Sequence, residues 1–247
     1  MNYGRPSMWN SIPPVTKNLI IINFILWFAT IVFQRFNIDL YDILGMHYWA
    51  SGKFNPAQII TYMFMHGGLP HIFFNMFALF MFGSTLESVW GSRKFFNYYM
   101  ITGVGAGLIN LLVIYIRIKS IESNLDSEVI AMVYRDGADI INQGKNYTDT
   151  ILRQLNNLIN SPTVGASGSV FGILLAFGWL FPQAKLMLLF LPIPIPARIF
   201  VTIYALGELF LGVANFSGDN IAHFAHLGGM LFGVILILYW KKKGRLI

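Results

Sequence analysis

Six apolar runs set the solvent in which this chain can fold: Asn18 to Gln34, His71 to Trp90, Phe95 to Ile116, Ser167 to Phe181, Ile199 to Asn215 and Ile221 to Trp240. Runs of roughly 17 to 25 apolar residues cross the hydrocarbon core of a bilayer as helices, which satisfy every backbone N–H and C=O internally. Ser167 to Phe181 is shorter, and suffices where neighbouring helices shelter its ends. Only 11% of the 247 residues are charged, against roughly 25% in an average soluble domain. The expected fold is all-α: a polytopic membrane protein, one domain over residues 1–247, with transmembrane helices at 18–34, 71–90, 95–116, 167–181, 199–215 and 221–240.

Charge orients the spans. With both termini cytoplasmic, the inner segments hold Arg5, Lys17, Arg93, Lys94, Lys185, Arg198, Lys241, Lys242, Lys243 and Arg245, and no acid. The outer segments hold the other seven basic residues and nine acids, while Glu87 and Glu208 fall inside spans. Cationic loops on the inner side follow the positive-inside rule and lie beside anionic lipid. The basic balance therefore implies membrane lipid as a partner and argues against nucleic acid. Tyr3 to Lys17 has the charge of a signal-peptide start, but no A-x-A pattern follows the first run, so that run is read as a retained anchor. With no cysteine, disulfides and thiol catalysis are both excluded.

Two segments leave the bundle on the outer side. Residues 36–70 carry Trp49, Phe54, Met63 and Phe64 and are too apolar for a solvated linker, so this first loop is expected in the membrane interface. Residues 119–162 form a polar insertion in which Gly137 and Gly144 punctuate two short helices. In the second, Ile151, Leu155, Leu158 and Ile159 fall at helical spacing, and that face lies on the membrane or on the bundle. The sequons at Asn146 and Asn215 carry no functional weight.

The chemistry-bearing residues share one depth. The second, fourth and sixth spans run inward, so His71, Asn75, Ser167 and His226 all lie within roughly 10 Å of the outer mouth, at about 1.5 Å per residue. Ser167 opens its run within GASGSVFG. The plainest reading is a helix cap, with glycines that let helices approach. The chemical reading is a nucleophile: a serine hydroxyl needs a base, and imidazole titrates near neutral pH. Attack on a carbonyl then needs donors for the oxyanion. His71 and Asn75, four apart on one helix face, can supply them, as can the unpaired N–H groups at the start of the fourth helix. Gly165 and Gly168 remove side chains that would block approach.

These residues resemble the rhomboid intramembrane serine proteases. The resemblance runs through QIITYMFMHGGLPHIFFNMFALFMFGSTLE (Gln58 to Glu87), GASG (Gly165 to Gly168) and AHLGGMLFG (Ala225 to Gly233). The H-x-x-x-N, G-x-S-G and A-H-x-x-G-x-x-x-G elements occur in the family's order and on the expected helices. The resemblance implies a six-helix rhomboid-like bundle hydrolysing peptide bonds in or next to transmembrane segments of protein substrates, with no cofactor or metal. It implies Ser167 as nucleophile and His226 as base, a dyad without an acidic third member. His71, Asn75 and the Ser167 amide would hold the oxyanion, in a pocket shaped by Gly165. Glu87 is implied as a structural anchor to the first loop. Gly168, Gly229 and Gly233 support the site, the last two by bringing the sixth helix against the fourth. Glu208 is read as a packing residue without an assigned partner. Two departures stand out: Gln58-Ile59 replaces a frequent Trp-Arg, so contacts steadying the first loop differ, and the 119–162 insertion is longer than in compact members.

Ser169 and His223 compete with the dyad but fall outside the motif slots. A metalloprotease built on His223 and His226 lacks H-E-x-x-H, with the glutamates on other helices. A transporter would suit the intramembrane glutamates, but no internal duplication is evident. The main rival is a catalytically silent rhomboid-like protein that binds membrane clients. The expected location is a bacterial inner membrane, with the site opening to the extracytoplasmic side.

Overall fold

A computed structural model describes residues 11–188, 191–214 and 222–246, without the side chains of residues 188, 191 and 192. Arg5, the sequon at Asn215 and the expected start of the last span at Ile221 lie outside the described residues. In chain order the helices are α1 (Pro14–Gln34), α2 (Leu40–Leu44), α3 (Gln58–Thr61), α4 (Leu69–Ala78), α5 (Ser84–Trp90), α6 (Ser92–Glu122), α7 (Ser127–Asn142) and α8 (Thr150–Asn160). There follow α9 (Ser167–Leu180), the antiparallel strands β1 (Lys185–Leu188) and β2 (Leu191–Pro196), α10 (Ala197–Ala214) and α11 (His223–Lys242). A π-helical turn, Leu79–Gly83, joins α4 to α5 in one rod, Leu69–Trp90.

Among the described residues, five helices are long and apolar enough to cross a membrane: α1, the Leu69–Trp90 rod, α6, α10 and α11. The fourth apolar run forms only the 14-residue α9, about 21 Å long at 1.5 Å per residue against a hydrocarbon core of about 30 Å. Five helices of spanning length thus stand where six spans were expected, and at the fourth expected span the chain forms a shorter helix. Sequence explains the exception. A helix apolar on every side belongs inside a bundle, and α9 packs against α4, α6, α10 and α11. By contrast Phe28, Ile203, Phe210 and Val213 are each more than 60% exposed, on faces that suit lipid.

Lipid tails are as apolar as leucine, so close packing and hydrogen bonds must hold such helices together. A methyl group on Gly229 of α11 would lie 1.9 Å from the Gly168 carbonyl oxygen of α9. Only glycine at position 229 permits that backbone approach, while Gly168 makes room for Ala106 of α6, 2.3 Å from a Cβ built on it. One built on Gly233 would meet the Tyr98 hydroxyl at 2.4 Å and Leu175 of α9 at 3.1 Å. Buried hydroxyls finish the joints: Tyr98 donates to the Gly172 carbonyl (2.8 Å), and Ser169 to that of Tyr99 (2.8 Å).

Glu87 anchors a helix where an anchor to the first loop was expected. Its carboxylate accepts from the Val15 and Thr16 amides (2.9 and 2.7 Å), the Thr16 hydroxyl (2.8 Å) and Ser92 (2.7 Å). Pro13 and Pro14 begin α1 without a capping side chain, so a remote carboxylate satisfies its first N–H groups and meets its positive dipole end. The first loop is held by Gln58 instead. This buried side chain accepts from the amides of His47 and Asn55 (both 3.2 Å) and donates to the Lys53 carbonyl (2.9 Å). Met46, Met63 and Met65 are buried as well, so the loop is packed into protein more deeply than an interfacial position implies.

The insertion is a helical hairpin, α7 and α8, that follows the C-terminal end of α6. Gly144, at φ +69°, ends the first helix after Asn142. Gly137 sits within α7, where a methyl group would fall 2.1 Å from Asn156 Oδ1; it permits close packing and does not punctuate. Leu155 and Ile159 pack with Tyr48, Ile118 and Val133, whereas Ile151 faces outward. The β1–β2 hairpin had no counterpart in the reading of the sequence.

Candidate active site

The segment leading into α9 is pinned from below. Thr163 and Met46 exchange both backbone hydrogen bonds (2.8 and 2.9 Å), Asn110 donates to the Thr163 hydroxyl (2.9 Å), and the Gly165 amide donates to the Tyr62 carbonyl (2.9 Å). The chain then turns through Gly165 at φ +134°, a conformation side chains resist. Ala166 takes the N-cap, so Ser167 is the first helical residue and its hydroxyl caps nothing. Among the described residues that hydroxyl has no hydrogen-bond partner.

His71 comes from the facing start of α4. A methyl group on Gly165 would meet His71 Nε2 at 2.8 Å and Ser167 Oγ at 3.4 Å; the missing side chain is the space between ring and hydroxyl. The Gly67 amide donates to His71 Nδ1 (3.4 Å). In a neutral ring this puts the hydrogen on Nε2, making the nitrogen beside Gly165 a donor. Asn75, nearly buried, donates one amide hydrogen to the His71 carbonyl (2.9 Å) and keeps a second.

His226 reaches the same face of α9 from α11. Its ring lies on Phe171, 4.1 Å between centroids and 6° between planes. Phe171 is one turn beyond Ser167, and helical side chains lean toward the N-terminus, so the imidazole stands over the serine's end of the helix. Ser167 and His226 do not hydrogen-bond to each other in this arrangement.

The other ring nitrogen makes a contact that the reading of the sequence missed. His226 Nδ1 lies 2.9 Å from Glu208 Oε2, and His223 Nδ1 lies 2.6 Å from the same oxygen. All three side chains are buried. A carboxylate can only accept, so both Nδ1 atoms carry hydrogen. Glu208 thus has partners, and they include the histidine of the expected dyad. Two signals pointed there: a carboxylate costly within a span, and histidines at i and i+3 at a matching depth on the next helix. The three donor atoms lie within 4.8 Å of one another, which raises the question of an ion. Two ligands of one tetrahedral zinc at about 2.0–2.1 Å would stand about 3.3 Å apart. The observed 2.6 and 2.9 Å are hydrogen-bond lengths, so the cluster is read as hydrogen-bonded.

Ser169 turns away to the Tyr99 carbonyl and is 1% exposed.

The chain is a polytopic helical bundle in which Ser167 opens α9 and His226 of α11 stacks on Phe171 one turn further along it. A sequence model of the Rhomboid domain matches residues 53–243, and the chain belongs to the rhomboid family. It is similar to Rhomboid protein 1, mitochondrial, of Saccharomyces cerevisiae, at 27% identity over 97% of this chain and 60% of the relative. RHOMBOID-like protein 12, mitochondrial, of Arabidopsis thaliana is 27% identical over 94% of this chain and 59% of the relative. Presenilin-associated rhomboid-like protein, mitochondrial, of Homo sapiens is 25% identical over 88% and 48%. The chain therefore spans between 48% and 60% of the length of these relatives. Their names overturn the expectation of a bacterial inner membrane: these relatives are mitochondrial, and the absence of cysteine does not distinguish a bacterial from an organellar membrane.

Proposed function

We propose that this chain is an intramembrane serine endopeptidase that cuts peptide bonds in or next to transmembrane segments of protein substrates. The observation that carries the reading is the His226 ring stacked one turn from a serine whose hydroxyl has no hydrogen-bond partner among the described residues. Catalytic hydrogen bonds are often loose before substrate arrives and tighten in the complex. Ser167 Oγ attacks the scissile carbonyl carbon while His226 Nε2 takes its proton. The oxyanion is met by the Ser167 amide, His71 Nε2–H and the spare Asn75 N–H, beside Gly165. His226 returns the proton to the leaving amine, and water then releases the acyl group by the same steps. The substrate unwinds locally first, because helical carbonyls are already hydrogen-bonded. The mouth opens away from the basic end of the bundle, and the mitochondrial relatives support placing it in an organellar membrane.

The test is a fluorophosphonate probe on purified protein in detergent, with cleavage of a reporter transmembrane segment. The wild type labels and cleaves; Ser167→Ala and His226→Ala do neither, with thermal unfolding nearly unchanged. Absent labelling of the wild type would leave a client-binding protein. Activity lost to a chelator and restored by zinc would transfer the chemistry to the Glu208 cluster.

A further inference from the structure

We propose that Glu208 is a positioning residue for His226, completing a Ser167–His226–Glu208 triad assembled from α9, α11 and α10. The inference rests on the protease reading and departs from the acid-free dyad that the resemblance implied.

A base for Ser167 must present a bare Nε2, which in a neutral imidazole requires the hydrogen on Nδ1. A ring left to itself populates both tautomers and both flips about its χ2. Two contacts remove that freedom. Phe171 fixes the plane of the ring, and the 2.9 Å bond to Glu208 Oε2 fixes its rotation within that plane and the tautomer together. His223 supplies the same oxygen with a second donor at 2.6 Å. Glu208 is therefore held from a neighbouring site on α11 as well as by its own helix.

The carboxylate also matters after proton transfer. When Ser167 gives its proton to Nε2, His226 becomes an imidazolium in a buried, weakly screened place. Its Nδ1 hydrogen stays on the ring, directed at Glu208, and the opposite charge stabilises the ion until Nε2 passes its proton to the leaving amine. Glu208 is never protonated in the cycle, and neither substrate nor oxyanion touches it. The orienting acid of soluble serine proteases acts in the same way. Here it comes from a transmembrane helix whose Ile203, Leu206 and Phe210 face outward. An ionisable side chain on such a helix needs a reason to be there.

The test compares Glu208→Gln and Glu208→Asp with wild type in full-length protein, by fluorophosphonate labelling rate per folded molecule and by nitrogen NMR of the histidine rings. Gln keeps the volume but offers no charge and an amide that can donate to Nδ1. It should slow labelling about a hundredfold or more, in line with the loss of an orienting carboxylate, while Asp restores part of the rate. In wild-type protein the His226 signals should report hydrogen on Nδ1, and in Glu208→Gln a mixture. A Glu208→Gln protein that labels at the wild-type rate would overturn the proposal while leaving the protease reading intact. Hydrogen on Nε2 in the wild type would do the same, and that readout does not depend on Glu208→Gln folding. A wild type that fails to label would instead end the protease reading.

Discussion

The His226 imidazole lies flat against the Phe171 ring, 4.1 Å between centroids and 6° between planes. This pairing joins two helices at the level of Ser167.

Phe171→Leu keeps an apolar side chain but removes the flat surface. An aromatic pair contributes about 0.5–1.5 kcal/mol beyond its area, so the unfolding temperature should drop only slightly. Labelling by the fluorophosphonate probe should fall at least about tenfold, as His226 samples unproductive rotamers. Equal labelling in the two proteins would show that stacking does not place the base.

Gly229 marks a close backbone approach between α11 and α9. Gly229→Val would put side-chain carbon where the Gly168 carbonyl oxygen lies 1.9 Å from a Cβ, and backbone cannot swing aside as a flexible side chain can. Overpacking of this kind costs about 1–3 kcal/mol, and the separation carries His226 away from Ser167. Thermal stability and labelling should fall together. Gly52→Ala, which meets nothing within 4 Å, is the neutral control.

Glu87→Ala strips the first turn of α1 of its acceptor. Each buried donor left unsatisfied costs about 1–3 kcal/mol, and Val15 and Thr16 both lose one. The variant should unfold at a lower temperature, yet molecules that remain folded should label at the wild-type rate, because the carboxylate is bonded to α1 and Ser92 and not to the site. A slower rate per folded molecule would contradict that separation.

His66 stands in the loop before α4, fully buried, its ring edge-on to His71 at 5.0 Å. Burial, aided by the neighbouring His71, pushes its ring down to about 3, whereas an unfolded chain protonates histidine near 6.5. The folded state therefore binds fewer protons between those values. The contribution of His66 is full above about pH 6.5 and is lost as pH falls from there toward 3. Unfolding temperature measured from pH 7 to pH 4 should decline, and decline less steeply in His66→Phe. Parallel curves would remove His66 from the acid sensitivity.

Much of this protein was legible along the chain. Apolar runs of this length become helices in a bilayer because backbone polar groups find no water there, so the helical bundle followed from local composition; motif spacing nominated Ser167, His71, Asn75 and His226 as candidates without fixing their roles. Gly168 and Gly229 could be nominated as contact residues from size alone. Other features are properties of pairs distant in sequence. Glu208 read as a lone intramembrane carboxylate until α10 and α11 set it beside two histidines; Glu87 could have served any neighbour until the bundle offered it the bare start of α1. The shortness of α9 was legible in its apolar run, but which helices cover it, α4, α6, α10 and α11, was a tertiary matter. A sequence determines which groups need partners, because that need is a property of each residue and its solvent; which partner answers is decided by the one packing that brings the groups within bonding distance.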